Sequence, residues 1–325
     1  MNEVRWGILS TGKIARAFAE ALRDTPGAVL AAVGSRTLEG AQAFSAEFGG
    51  TPYGSYEELA QASDVDAIYI GTPHTLHASN AMLALEGGKA VLCEKPFTIN
   101  LREAEQVVAL ARKRNLFLME AMWTRFLPAF DEAKRILASG EIGEPRQVVA
   151  DFGFFASVAP EHRLVNPGLG GGALLDLGIY PLSAAAYLLG PVDSVTAQAV
   201  MQPNGVDAQT AFTLRHANGG LSICNASMRA RTPVELVVSG DRGYLRLNSR
   251  FHRAPSITVD TEQGGSRTIE TPYLGNGYVH EIIEVQRCLR EGLLESPRMP
   301  LDESLALMGV LDEIRRQVGL RYPSE

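Results

Sequence analysis

The sequence predicts an α/β chain of two parts: an N-terminal doubly wound parallel sheet, then a C-terminal α+β domain with a large, mostly antiparallel open sheet. Two observations carry the prediction. Through the first 122 residues, short apolar runs of strand length alternate with stretches whose apolar residues recur at the helical period. From residue 192 to residue 248, β-type runs follow one another with tight-turn chemistry between them and no helix.

Val4–Leu9 is the first strand, and residues 12–23 form a helix with Ile14, Ala15, Phe18 and Leu22 on one stripe. Residues 29–34 are a second strand, and Leu38–Phe48 is a helix with Ala41, Phe44 and Phe48 along one face. Tyr56–Gln61 is a short helix, because Ser55 with Glu58 three residues on has the spacing of a capping box. Strands follow at Ala67–Ile70, 90–93 and 117–120, with helices at 76–86 and 102–113 between them. Buried strands joined by helices make a parallel sheet, and right-handed crossovers set its winding.

The rhythm changes near residue 125. Residues 131–139 read as helix, 146–155 as strand and 174–189 as an apolar helix. Val192–Met201, 207–215, 220–229, 234–240 and 244–248 then read as consecutive strands. Asn204-Gly205, Asn218-Gly219 and Asp241-Arg242-Gly243 supply the turns. The end is helical again at 279–290 and at Leu301–Val318, with no internal repeat. The expected domains are 1–122, binding a dinucleotide, and 123–325, taking substrate and dimerising, with helix 301–318 a candidate to pack back on the first domain.

With 46% hydrophobic and 21% charged residues, the 325-residue chain has an ordinary globular composition and can bury a large core. Its net charge of −7 and the lack of a basic run argue against nucleic acid as a partner. Three cysteines without a CxxC pair suit a reducing compartment. No basic, apolar leader stands at the start and no uncharged apolar run reaches membrane-spanning length, so a cytoplasmic location away from membranes is the expectation.

The turn after the first strand reads Ser10-Thr11-Gly12-Lys13-Ile14-Ala15. The Rossmann fingerprint places G-x-G-x-x-G/A there. Gly12 and Ala15 match, and Ser10 stands where the first glycine is usual. Gly12 would let backbone approach a pyrophosphate at a helix N-terminus, where free N–H groups and the dipole favour anions. A plain strand–turn–helix remains the alternative. The second strand ends in Gly34-Ser35-Arg36, with no acidic residue for ribose hydroxyls. Ser35 and Arg36 suit a 2′-phosphate, which favours NADP, with NAD as the alternative. Thr72, Pro73 and His74 follow another strand and face the same end of the sheet, with His77 one turn on. No further ligand completes a His74–His77 pair, so no metal is expected.

The strand at 90–93 runs into Glu94-Lys95-Pro96. A lysine at that end of a buried strand can donate to a substrate oxygen or lower the pKa of a neighbouring acid. In the second part, Gly170-Gly171-Gly172 precedes a helix carrying Asp176 and Tyr180. Four residues apart, they share one face of an α-helix. A phenol near an ammonium can take the proton of a carbinol as its hydride leaves. A core tyrosine bonded to Asp176 is the alternative.

Taken together, Ser10-x-Gly12-Lys13-Ile14, Glu94-Lys95-Pro96 and the run from Gly171 to Tyr180 resemble the Gfo/Idh/MocA oxidoreductase family over essentially the whole chain. Most of that family has histidine where this chain has Tyr180; the tyrosine form resembles the branch of dimeric dihydrodiol dehydrogenases and NADP-dependent D-xylose dehydrogenases. The resemblance implies Lys95, Asp176 and Tyr180 as catalytic residues, with Tyr180 the acid/base assisted by Lys95. It implies Glu94 at the nicotinamide ribose, Trp123 and Arg125 near cofactor and substrate, and Phe154 and Tyr278 near substrate. Trp123 as core packing and Arg125 as an ion pair between domains are the plainer readings. A homodimer, or a dimer of dimers, through the C-terminal sheet is implied too. The expected substrate is a sugar or trans-dihydrodiol. A sugar or anhydrosugar reductase, an oxidoreductase that keeps its NADP bound, and a dinucleotide-sensing regulator are the rival readings.

Overall fold

The computed structural model describes residues 3–325. They fall into two compact units. One gathers the chain up to Phe126 with Leu274–Met308; the other gathers Leu127–Tyr273 with Gly309–Glu325.

The first unit holds β1 (Val4–Leu9), α1 (Lys13–Asp24), β2 (Ala28–Gly34), α2 (Leu38–Phe48), β3 (Thr51–Tyr53), α3 (Tyr56–Gln61), β4 (Ala67–Ile70), α4 (His77–Glu86), β5 (Ala90–Glu94), α5 (Leu101–Arg114) and β6 (Leu118–Ala121). The strands lie in the order β3-β2-β1-β4-β5-β6, each pair parallel. The order reverses between β1 and β4, which opens a crevice at their carboxyl ends, where ligands bind in such sheets. The central strands are buried on both faces, hence their apolar runs. Ser55 caps α3 by accepting from Glu58 N at 3.1 Å. Strand β3 was not expected; its three residues, one of them Pro52, are too few to show a period.

The second unit starts with α6 (Pro128–Ser139), β7 (Pro145–Gly153), a π-helical turn at Leu174–Gly178 and α7 (Ile179–Leu189). Then come β8 (Val192–Met201), β9 (Asp207–His216), β10 (Leu221–Ser227), β11 (Leu236–Gly240), β12 (Gly243–Leu247), β13 (Ser256–Thr261) and β14 (Gly265–Glu270). Their order is β14-β13-β12-β11-β7-β10-β9-β8; β7 and β10 pair in parallel and the other pairs are antiparallel. The mostly antiparallel open sheet matches the sequence expectation, extended by β13 and β14. The edge strand β14 is exposed along almost its whole length, so no apolar alternation announced it. Helices α6 and α7 cover one face. The stretch Pro167–Leu189 is long and apolar enough to cross a membrane, yet 89% of its most apolar window is buried in the fold.

The chain ends with α8 (Val279–Glu291) and α9 (Leu301–Val318). The sequence placed 123–325 in the second domain, with helix 301–318 a candidate to pack back on the first; the structure groups Leu274–Met308 with the first. Specific bonds account for it. Ser304 Oγ donates to Glu120 Oε2 at 2.7 Å, Arg125 pairs with Glu303 at 2.6 Å, and Asn276 Nδ2 donates to Ala17 O at 2.7 Å.

Candidate active site

The first unit presents a helix start free of its own anion. Gly12 precedes α1 with no side-chain cap, and no acidic residue lies in the first turn. A Cβ on Gly12 would meet only Ser10 Oγ, at 3.6 Å, so the fold itself leaves this glycine's space open. Ser10 adopts φ 131°, a conformation usual for glycine, and is held there. Its N–H donates to Gly34 O at 3.0 Å, and its Oγ accepts from Gly12 N at 3.2 Å. Lys13 is exposed and Ile14 half-buried beside the turn. Backbone donors, a helix dipole and open space suit the residues for a pyrophosphate.

At the end of β2, Ser35 is buried and Arg36 exposed. At the end of β4, Thr72 and His74 are buried and Pro73 is half-buried. His77 is the first residue of α4. It is fully buried, with Nδ1 2.8 Å from Pro96 O and Nε2 2.9 Å from Thr72 O, and burial lowers its pKa. Both ring nitrogens lie within hydrogen-bond distance of backbone carbonyls, so the ring joins the loops after β4 and β5.

Glu94 ends β5 and Lys95 follows, half-buried, with a cis peptide to Pro96. Glu94 Oε1 accepts from Tyr69 Oη at 2.6 Å, and Oε2 from Lys95 N at 3.2 Å. Tyr69 is itself stacked on Phe18, ring centroids 3.7 Å apart. Glu281 on α8 is fully buried, and burial followed by the charge of Glu94 pushes its pKa well above the usual carboxylate range. Trp123 packs against Tyr278 with centroids 4.7 Å apart. Arg125 is only 1% exposed and bound to Glu303. The pair lies within the first unit, where the plainer sequence reading put an ion pair between domains.

In the second unit Asp176 lies in the π-helical turn and Tyr180 in the first turn of α7. The sequence expected one continuous α-helix through both. Asp176 Oδ1 accepts from Arg163 Nη1 at 3.0 Å. Tyr180 is 8% exposed, with the rings of Phe152 and His252 at 5.3 and 5.7 Å, and those two rings stack on each other at 4.5 Å. Phe154 packs, together with Phe152, on a cluster of Leu164, Val165, Ala173, Leu177, Ala226 and Met228. Phe152, in β7, is thus an aromatic neighbour of Tyr180, two residues before Phe154. Tyr69, Arg163, His252 and Glu281 escaped sequence reasoning. Each meets its partner across an element boundary, so no local spacing marks it.

Residues 4–122 match the model of an oxidoreductase family with an NAD-binding Rossmann fold, and residues 130–246 match the Gfo/Idh/MocA C-terminal domain. The chain belongs to this family. It is an oxidoreductase, as its relatives' names also indicate. It is 37% identical to a trans-1,2-dihydrobenzene-1,2-diol dehydrogenase of Danio rerio over 99% of each chain. It is 35% identical to the D-xylose 1-dehydrogenase (NADP(+)) of Hypocrea jecorina, over 98% of this chain and 93% of that one. Among solved structures, a 3-ketoreductase from Actinomadura kijaniata in complex with NADP and TDP-benzene aligns with a TM-score of 0.88 at 29% identity, covering 98% of each chain. The family and the tyrosine branch anticipated from the motifs are thus both represented.

Proposed function

We propose that this oxidoreductase is NADP-linked and moves a hydride between the nicotinamide and a ring alcohol, a sugar or a trans-dihydrodiol. The observation that carries the cofactor choice is the end of β2, where Ser35 and Arg36 stand in place of an acid, next to the uncapped start of α1. The NADP in the name of the D-xylose relative and the NADP in the ketoreductase complex support it. Gly12 and the N–H groups of α1 would hold the pyrophosphate, Ser35 and Arg36 the 2′-phosphate, and Glu94 the ribose near the nicotinamide.

When bound, NADP supplies the hydride acceptor. The proton chemistry is assigned to Tyr180. In oxidation the carbinol O–H proton goes to the Tyr180 phenolate oxygen, which becomes the phenol, as the C–H hydride departs and the C–O bond becomes a carbonyl; reduction reverses both transfers. Asp176, held by Arg163, orients the substrate hydroxyl, and Lys95 is the cationic partner of the reacting oxygen. Reduced-nicotinamide absorbance with NADP or NAD against D-xylose, D-glucose and trans-1,2-dihydrobenzene-1,2-diol tests this, with Tyr180→Phe as control. NADP-dependent turnover that the variant loses supports the reading; equal turnover in the variant refutes it.

The 3-ketoreductase likeness favours a second reading, a sugar reductase; the likeness to an aldose–aldose oxidoreductase from Caulobacter crescentus (TM-score 0.88, 26% identity) favours an enzyme acting on two sugars in turn, for which we propose an NADP that stays bound. Gel filtration after loading with NADP separates the last from the rest. A homodimer is also proposed, through the sheet face opposite α6 and α7, where Val149 and Ile223 lie side by side and exposed with Leu221 two residues on. Sedimentation of Ile223→Asp as a monomer, with the parent a dimer, is the expected result.

A further inference from the structure

The start of the helix that carries Asp176 and Tyr180 is held by groups that play no part in the reading above. Asp207, at the first residue of β9, is fully buried. Its Oδ2 accepts from Leu174 N at 2.7 Å and from Thr210 Oγ1 at 2.6 Å, so it caps the π-helical turn with a carboxylate. The backbone is fitted closely around it. Gly172 sits at φ 127°, and a Cβ there would lie 2.3 Å from Asp207 Oδ1. From the segment after α9, Tyr322 Oη donates to Gly171 O at 2.9 Å, and Tyr322 is 3% exposed. Arg315 lies over the Tyr322 ring, 5.0 Å from its centroid, and pairs with Asp312 and Glu325.

The same turn connects to Asp176 by direct bonds. Asp176 N donates to Gly172 O at 3.3 Å. Gly171 N and Gly172 N donate to Asn166 O and Leu164 O, in the loop that also carries Arg163, the partner of Asp176. A π-turn has a wider ring and poorer hydrogen-bond geometry than an α-turn, and such turns occur mostly as single features at functional sites. An uncapped π-turn preceded by three glycines at 170–172 would sample other conformations, because glycine gives the least backbone restraint.

We infer that Asp207 and Tyr322 are positioning residues for Asp176 and Tyr180, clamping the glycine turn at 170–172 so that the π-turn presents both groups in one fixed arrangement. This rests on the proposed roles of Asp176 and Tyr180, so its test keeps the two apart. Tyr322→Phe removes one hydroxyl, Asp207→Asn keeps the shape and an acceptor, and Asp207→Ala removes the cap. Hydrogen exchange of the amides at 173–178 is measured first and needs no substrate. It should rise at least roughly fivefold in Tyr322→Phe, as expected for one lost hydrogen bond, while the strands of the first unit stay protected. Steady-state kinetics follow, with NADP and D-xylose or the dihydrodiol. The expected result is a kcat several-fold lower in Tyr322→Phe with KM for NADP unchanged, and partial recovery in Asp207→Asn relative to Asp207→Ala. Unchanged exchange at 173–178 would overturn the inference. So would raised exchange with unchanged kcat while Tyr180→Phe is inactive, since the clamp would then be structural only. Raised exchange with both Tyr322→Phe and Tyr180→Phe fully active would uphold the clamp and refute the role of Tyr180.

Discussion

The Tyr69 phenol donates a hydrogen bond of 2.6 Å to Glu94 Oε1 in the interior of the first unit, where both side chains are at most 6% exposed. The carboxylate proposed to meet the ribose is thereby fixed from beneath by a ring that is itself stacked on Phe18. Tyr69→Phe keeps the ring and deletes only the donor. NADPH affinity, read by fluorescence titration, should fall roughly three- to tenfold, the scale of one buried hydrogen bond. An unchanged dissociation constant would mean that the pair serves packing alone.

Arg36→Ala addresses the choice of dinucleotide. Arg36 is exposed at the carboxyl end of β2, and its loss leaves Ser35 as the proposed phosphate ligand. The dissociation constant for NADPH should rise roughly tenfold or more, the cost of one charge-assisted contact, while that for NADH stays within about twofold. Equal losses for both dinucleotides would sink the assignment of the 2′-phosphate.

Glu120 gives a pH dependence of stability. It is 1% exposed, and burial pushes its pKa up to about 7, although Ser304 Oγ and Phe97 N donate to it. Its folded pKa lies above the unfolded value, so between pH 4.5 and 7 the folded state holds the extra proton. Stability from this group is therefore full at the low end of that window and lost as pH rises through 7, by an amount on the order of 3 kcal/mol. Thermal melting of Glu120→Gln against the parent at pH 5 to 8 should show the variant gaining on the parent as pH rises. A constant difference across the range would contradict this.

Gly172→Ala should be among the most damaging single-methyl additions in the second unit. The new Cβ would meet Asp207 Oδ1 at a forbidden 2.3 Å, on a residue held at φ 127°. Left-handed strain and the displaced carboxylate together should cost roughly 2–4 kcal/mol in urea unfolding. Gly205→Ala, at φ 89° with nothing within 4 Å, is the control, and should cost only its backbone term, about 1 kcal/mol. Equal losses in the two would show that the approach of Asp207 does not matter.

Much of this architecture is written locally. The bounds of β1, α2, α3, β4, β8 and α9 follow from apolar period and capping spacing within a few residues of each. The same applies to the cradle: Ser10, Gly12, Ser35 and Arg36 lie at strand ends that the alternation of elements already places at one edge of the sheet. Other features have no such local mark. Strand β14 is an exposed edge without alternation, and the π-turn at Leu174–Gly178 has the same apolar composition as an α-turn.

The sequence by itself determined the parallel winding of the first unit, the open sheet of the second, and the family motifs around Gly12, Lys95 and Tyr180, because strand and helix periods and strand-end turns are short-range properties. Only the tertiary structure decided which charged and polar groups are spent on holding the fold. His77 lies between two backbone carbonyls, Arg125 pairs with Glu303, and Glu120 finds Ser304 at a separation of 184 residues. The physical reason is that a buried polar group must find a partner wherever the chain's packing brings one, and that pairing leaves no period in the sequence.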